Sequence, residues 1–237
     1  MFAFIFNRLL PLFLFIVSFY THLFSQNNDY LPYLTSKDSI DKVYGMDPTL
    51  YNGILYQSKY PETVKGDQYF SSPEYLNGEV LIRGVIFKNI KLNYDVYKQE
   101  VLLKYTNLSN GINIISISKA WLESFTIGDD RFTLYGTAEI PKRIYQVFGN
   151  DSILLLYFWR KDLIIDNTEG VLAFIKKRES FVLMNNSLNK FKNNRSFLHL
   201  FPLDKQIQIK KYLRQHKIKV NKASNKTMEE LIIFCSK

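Results

Sequence analysis

Four apolar residues set two apart, Ile90, Leu92, Tyr94 and Val96, constrain this chain more than any other feature. Lys91, Asn93 and Asp95 stand between them. Alternation at period two puts the apolar set on one face of an extended strand and the polar set on the other, as in an antiparallel strand with a core on one side and water on the other. A helix would scatter the same residues around its circumference. The surrounding stretch shares this grammar. Val80 and Ile82 precede it, Gly84 interrupts with the freedom for positive φ or a bulge, and Lys88-Asn89 reads as a tight turn. Asp95 and Lys98-Gln99 then lead into an apolar run over 101–105. Three adjacent antiparallel strands are expected from Gly78 to Tyr105.

Further runs follow at strand length. Apolar segments at 54–56, 112–117, 121–127, 132–135, 143–148 and 153–159 are separated by Gly, Asn, Asp and Ser turn signals. Two more, at 171–175 and 181–184, flank a charged corner expected at 176–179. The segment 58–73 reads as a loop with Tyr69 and Phe70 pinned inside it. This spacing indicates an antiparallel sheet of many short strands, and the absence of strand–helix alternation disfavours a parallel α/β fold. From Asn194 the period becomes helical, with Asn194, Asp204 and Thr227 expected to cap three short helices. The expected fold class is α+β: a mainly antiparallel β-sheet, as a curved sheet or half-barrel, with short C-terminal α-helices.

The run G-x-V-x-x-x-G-x-x-F-x-N-x-x-L-x-Y-D is carried here by Gly78, Val80, Gly84, Phe87, Asn89, Leu92, Tyr94 and Asp95. It resembles a pattern in uncharacterised secreted β-rich proteins of Bacteroidota. A later unit with Phe125, Ile127 and Phe132, and the lysine-rich helical C-terminus, fit the same pattern. The resemblance covers most of the chain beyond residue 25, but its motifs are strand signatures. It implies export and a β-rich fold, and no activity.

Arg8 followed by a nearly unbroken apolar run from Leu9 to Tyr20 has the layout of a secretory signal. As a helix that run spans about 18 Å, short of a hydrocarbon core of about 30 Å. Cleavage is expected after Ser25, leaving no stable transmembrane span; the alternative is that the segment stays as a membrane anchor. The expected organisation is a signal peptide at 1–25, a β-rich body with an irregular lead-in at 26–193, and a basic helical segment packed on the body at 194–237. Cys235 is the one cysteine, so the fold relies on its core and not on a disulfide. On its apolar stripe it reads as a buried small hydrophobe.

Charge is divided unevenly. Residues 176–237 hold 15 Lys and Arg against 4 Asp and Glu, a net +11, whereas residues 26–175 hold 15 against 18, a net −3. Lys210, Lys211, Arg214, Lys217 and Lys219 form the expected basic surface. It reads either as a solvated helix face or as a contact for an envelope protein or an anionic envelope surface. Nucleic acid is not an expected partner, since export and the lack of any nucleic-acid-binding motif both oppose it.

Beyond residue 25 the chain has only His199 and His216, too few, with one cysteine, for a His-rich or thiolate metal site. It contains no G-x-S-x-G elbow, P-loop or dinucleotide fingerprint. No cofactor is expected and no catalytic residue is assigned. His199, among Phe197, Leu198, Leu200 and Phe201, reads as a core-edge histidine. Paired carboxylates are a spatial feature, and Asp95, Glu100, Glu123, Asp129 and Asp130 are candidates by position alone. The leading expectation is a non-enzymatic exported envelope protein with a binding or structural role, periplasmic, outer-membrane-associated or extracellular. The alternatives are a carrier holding an apolar ligand in a concave sheet and a carboxylate-dependent glycan hydrolase.

Overall fold

The computed structural model describes residues 41, 45–58, 60–138, 140–150 and 152–236. The chain divides into a unit of residues 1–45, of which Asp41 and Gly45 alone are described, and a unit of residues 46–237. The expected signal segment and most of the lead-in therefore lie outside the described residues. The second unit holds strands β1 (Gly53–Leu55), β2 (Leu76–Ile82), β3 (Val85–Asp95), β4 (Glu100–Thr106), β5 (Ile112–Ile117) and β6 (Leu122–Ile127). Then come β7 (Asp130–Tyr135), β8 (Arg143–Asn150), β9 (Ile153–Ile165), β10 (Leu172–Met184) and β11 (Ser187–Phe191). Helices α1 (Asn194–Leu198), α2 (Leu203–Gln215) and α3 (Asn225–Ser236) close the chain. The fold is α+β, with one mainly antiparallel sheet and short C-terminal helices.

The strands lie in the order β1-β5-β4-β3-β2-β6-β7-β8-β9-β10-β11. Two meanders, β2 to β5 and β6 to β11, share an edge where β2 pairs with β6, and β1 covers the far side of β5. At that shared edge Gly78 is obligatory, because a Cβ there would stand 2.0 Å from the Thr126 carbonyl oxygen. Curvature follows from one hydrogen bond. Gln99, at the β3–β4 corner, donates from Nε2 to the Trp159 carbonyl on β9 at 2.8 Å. Five inter-strand steps separate β3 from β9, about 24 Å across a flat sheet. The sheet therefore curls until its two halves meet. The expected loop bridges what remains open: Phe70 N–H bonds Tyr94 O on β3, and Lys65 pairs with Leu172 and Phe174 of β10.

Phe70 fills the concave face, edge-on to Phe132 at 5.1 Å and Trp159 at 5.7 Å and stacked on Tyr94. Leu92, Tyr94, Val101, Leu103, Phe125 and Phe132 complete this first cluster. On β9, Ile153, Leu155 and Tyr157 share a face with Phe197, Ile209, Leu231 and Ile232 of the helices, and Trp159 packs against both clusters. Helix α3 lies on β8 and β9.

Three expectations need correction. The turn stands at Arg83-Gly84, both at positive φ, flanked by the pair Ile82–Val85 as in a two-residue hairpin. Lys88-Asn89 is instead a bulge inside β3, where the register slips by one residue opposite Glu79 and Asn89 takes φ +56°. The charged segment 176–179 is no corner either, since β10 runs through it unbroken. Its cations find partners on both faces. Inward, Lys176 Nζ stands 4.2 Å from the Phe70 ring centre and 4.4 Å from that of Trp159, and the Arg178 guanidinium stands 4.2 Å from that of Tyr157. Outward, Lys177 bonds Asp162 and Glu179 bonds Lys190 on the neighbouring strands. Finally, the polar side of β3 does not face water at its end. Asn93 and Asp95 are buried under the loop, where Asn93 donates to Ser72 O at 3.0 Å and Asp95 accepts from the Tyr56 hydroxyl at 2.7 Å.

Candidate functional site

The C-terminal helices begin with a cap one residue earlier than expected. Asn193 accepts from the Ser196 N–H at 2.9 Å, and Ser196 returns a bond to the Asn193 backbone, a reciprocal pair that satisfies two otherwise orphan donors. Asn194 is thereby released for tertiary work. Its Nδ2 donates to Ile218 O at 2.7 Å and its Oδ1 accepts from Val220 N–H at 2.9 Å, tying the start of α1 to the segment after α2. Phe197, fully buried with Phe191 and Phe201, anchors α1 from below.

Pro202, not Asp204, stands at the N-cap of α2, and Asp204 lies in the first turn, where a carboxylate suits the helix dipole. Ile209 and Leu213 fix the helix to the body. Its far end closes with two bonds, Ile218 N–H to Leu213 O at 2.8 Å and Lys217 N–H to Arg214 O at 3.2 Å. This is a Schellman closure, and it requires Lys217 at φ +53°, a backbone that glycine takes without strain. For α3 the Ser224 hydroxyl, not Thr227, accepts the first-turn bond, from Thr227 N–H at 3.2 Å.

Between α1, α2 and the 217–219 segment lies a groove with a cavity volume of about 1,020 Å³. That is the upper end of the range of small-molecule sites. Leu198, Leu203, Ile207, Leu213 and Ile218 supply its apolar wall. Arg195, Lys210, Arg214, Lys217 and Lys219 supply its charge, and among the described residues no carboxylate lines it. Leu203 is 79% exposed and Ile207 73%, unlike Ile209 at 1% on the other side of the same helix. The fold thus gathers four of the five expected basic residues around one cavity, while Lys211 stays on α2 outside its lining. Arg195 and the exposed leucine–isoleucine pair were not singled out from the sequence. Their 3.6-residue spacing is visible there, but which face lacks a covering partner is not.

His199 ends α1, exposed and on the groove wall rather than at a core edge. His216 stacks on Tyr212 at 4.0 Å and donates from Nδ1 to the Tyr212 carbonyl at 3.0 Å. Cys235 is buried, and burial pushes its thiol up to about 12.

The five position-only acids are dispersed, apart from one register pair and one adjacent pair. Asp95 and Glu100 face each other across the β3–β4 corner, but Asp95 is fully buried with both oxygens committed. Oδ1 accepts from Tyr97 and Lys98 N–H, and Oδ2 from Tyr56. Burial raises its pKa, against the opposing pull of these bonds. Asp130 accepts from Gln146, which in turn accepts from the Trp159 indole, and burial raises this carboxyl too. Glu123 accepts from the Gly84 N–H at the hairpin tip. None of the five acids lines the groove. Among the described residues no cluster of three or more His, Cys, Asp or Glu is placed to hold a metal ion. No described helix is long and apolar enough to cross a membrane. The chain matches no protein-family model, and neither a curated protein nor a solved structure matches it.

Proposed function

We propose that this is a non-enzymatic exported protein of the cell envelope whose C-terminal helical face binds an anionic envelope component. The observation that carries the reading is the convergence of five cations on one apolar-walled groove that, among the described residues, contains no acid. Such a lining creates a local positive potential, and its apolar wall strengthens each charge contact by lowering the local dielectric. The leader-like N-terminus and the resemblance to secreted Bacteroidota proteins support the location. The curled sheet serves as the platform on which α3 and, through it, the groove are mounted.

Fractionation of expressing cells tests this directly. The wild-type protein is expected in the membrane pellet at low salt and in the soluble fraction after a high-salt wash, because exposed charge contacts are screened within about a nanometre. A triple reversal, Lys210→Glu, Arg214→Glu and Lys219→Glu, is expected in the soluble fraction without added salt. Unchanged association and unchanged salt dependence in the triple variant would remove the basic face from the function.

A further inference from the structure

We infer that the groove holds a single-chain anionic amphiphile, a molecule of fatty-acid type, with its tail at the Leu203 end and its head at the Lys217 end. This assignment rests on the binding role proposed above and names the ligand class for the same face.

The exposed rims of the groove sort their polarity from end to end. Leu203, Ile207, Lys210 and Arg214 follow one another at four, three and four residues, so they share one face of α2. Apolar side chains occupy the first half of that face and cations the second, about 16 Å apart from Leu203 to Arg214. The opposite wall runs the same way. Asn194 is bonded to Ile218 and Val220, which puts Arg195 toward the Lys217–Lys219 end and Leu198 toward the start of α2. Leu213 and Ile218 are buried and continue the apolar lining beneath the cationic end, so the grading belongs to the exposed rims, which both run from apolar to cationic in the same direction.

That arrangement selects among anionic partners. An acidic amphipathic helix separates its polarity side to side, so it would match one end of this groove and clash with the other. A bilayer surface is met by a helix whose apolar face is rimmed by cations and buried in the interface plane. Here the residues line an open groove contributed by three segments. A head-and-tail molecule fits the gradient.

The cations at the head end are unused by the fold. Among the described residues, Arg195, Lys210, Arg214, Lys217 and Lys219 form no ion pair. Of the other basic residues in the region, Lys190 bonds Glu179, Arg178 bonds Asn221 O and Lys205 bonds Cys235 O, while among the described residues Lys192, Lys211, Lys222 and Lys226 form no ion pair and stand outside the groove. Lys217 adds a further sign. It occupies a left-handed backbone position that glycine would take at no cost, and it brings a charge to the head end.

Calorimetric titration of the purified full-length protein with tetradecanoate tests the assignment, with dodecanoate, the methyl ester of tetradecanoate and vesicles rich in phosphatidylglycerol as comparisons. One tetradecanoate per chain is expected. Two fewer methylenes should weaken binding roughly fifteenfold, from about 0.8 kcal/mol each. The uncharged ester should bind at least tenfold more weakly than the acid. Ile207→Glu at the tail end and Arg214→Glu at the head end should each weaken tetradecanoate binding at least tenfold, and both positions are exposed, so unfolding curves should stay near wild type. Full-strength binding in both variants would place the amphiphile elsewhere and overturn the assignment. Vesicle binding without tetradecanoate binding would also overturn it, in favour of a membrane surface, while leaving the envelope-binding role intact. Absence of both, together with salt-independent fractionation, would end both readings.

Discussion

Asp95 shows how one side chain holds a corner and what that imposes. Its carboxylate takes two backbone N–H groups of its own turn and the hydroxyl of Tyr56, a residue 39 positions away. Burial also pushes the Tyr56 hydroxyl well above its ordinary value, so it remains a donor throughout the accessible pH range. For Asp95 itself burial prevails over the three bonds, and the folded state holds the proton more tightly than the unfolded chain does. The linkage sign follows. The contribution of Asp95 to stability is fully present below the unfolded pKa of about 3.9 and is lost as pH rises through the higher folded value. Asp95→Asn keeps an oxygen for the two N–H groups and places its amide against Tyr56. The stability of wild type relative to this variant, from urea unfolding, should therefore decline as pH is raised from below 4 toward neutrality. A difference that stays flat or grows across that window would show that the bonds, not burial, prevail. In the sequence, Asp95 was legible as a turn acid following an alternating strand. Its burial was not, because the loop that covers it lies elsewhere in the chain.

At the scale of elements, α2 carries both the anchor and the groove. Ile209 and Leu213 hold one side to the body while Leu203, Ile207 and Arg214 face outward. Its Schellman closure uses a lysine where glycine is favoured, which gives a prediction that separates stability from binding. Lys217→Gly relieves the left-handed backbone and should stabilise the fold by roughly 1 kcal/mol, less the entropy a glycine adds to the unfolded chain. The same substitution removes a head-end cation and should weaken tetradecanoate binding severalfold. Thermal unfolding and calorimetry on one sample check both. A variant that loses stability as well would mean the Lys217 side chain serves the fold. Helical period and a basic face could be read from 203–217 by spacing alone. The cap positions could not, since Asn193 and Asn194 are adjacent and equally suited to capping, and only the bonds from Asn194 to Ile218 and Val220 decide which is free. β10 is the converse case. A run of four charged residues reads as a corner until aromatic rings on one face and opposite charges on the other make it a strand.

The whole second unit depends on the curl and on the loop that spans it. Phe70 is the point where they meet: its ring packs on Tyr94, Phe132 and Trp159, and its carbonyl accepts from Lys176. Burial holds that lysine's pKa below the usual range, with Lys161 nearby adding to the effect. Phe70→Ala is expected to destabilise the protein by about 3–5 kcal/mol, the range for a large core aromatic. Because Lys176 and Trp159 lose their shared partner, the loss should belong to the cooperative transition seen by denaturant. Unfolding within about 1 kcal/mol of wild type would mean the loop is an accessory, and that the β3–β9 contact through Gln99 closes the curl alone.

The sequence by itself determined the properties that live in short range. Alternation at period two made the strands, a change to period 3.6 made the helices, and the charge asymmetry of residues 176–237 made that end basic. These follow from backbone geometry and side-chain chemistry within a few residues. Tertiary structure alone decided which surfaces were covered. The curl brought residues from β3 and β9 into contact, buried Asn93 and Asp95 under a distant loop, and absorbed the charged stretch 176–179 into a strand. It also left Leu203 and Ile207 open beside five cations. Exposure is a property of what lies against a residue, and that partner is set by contacts made across the fold, which no local period encodes.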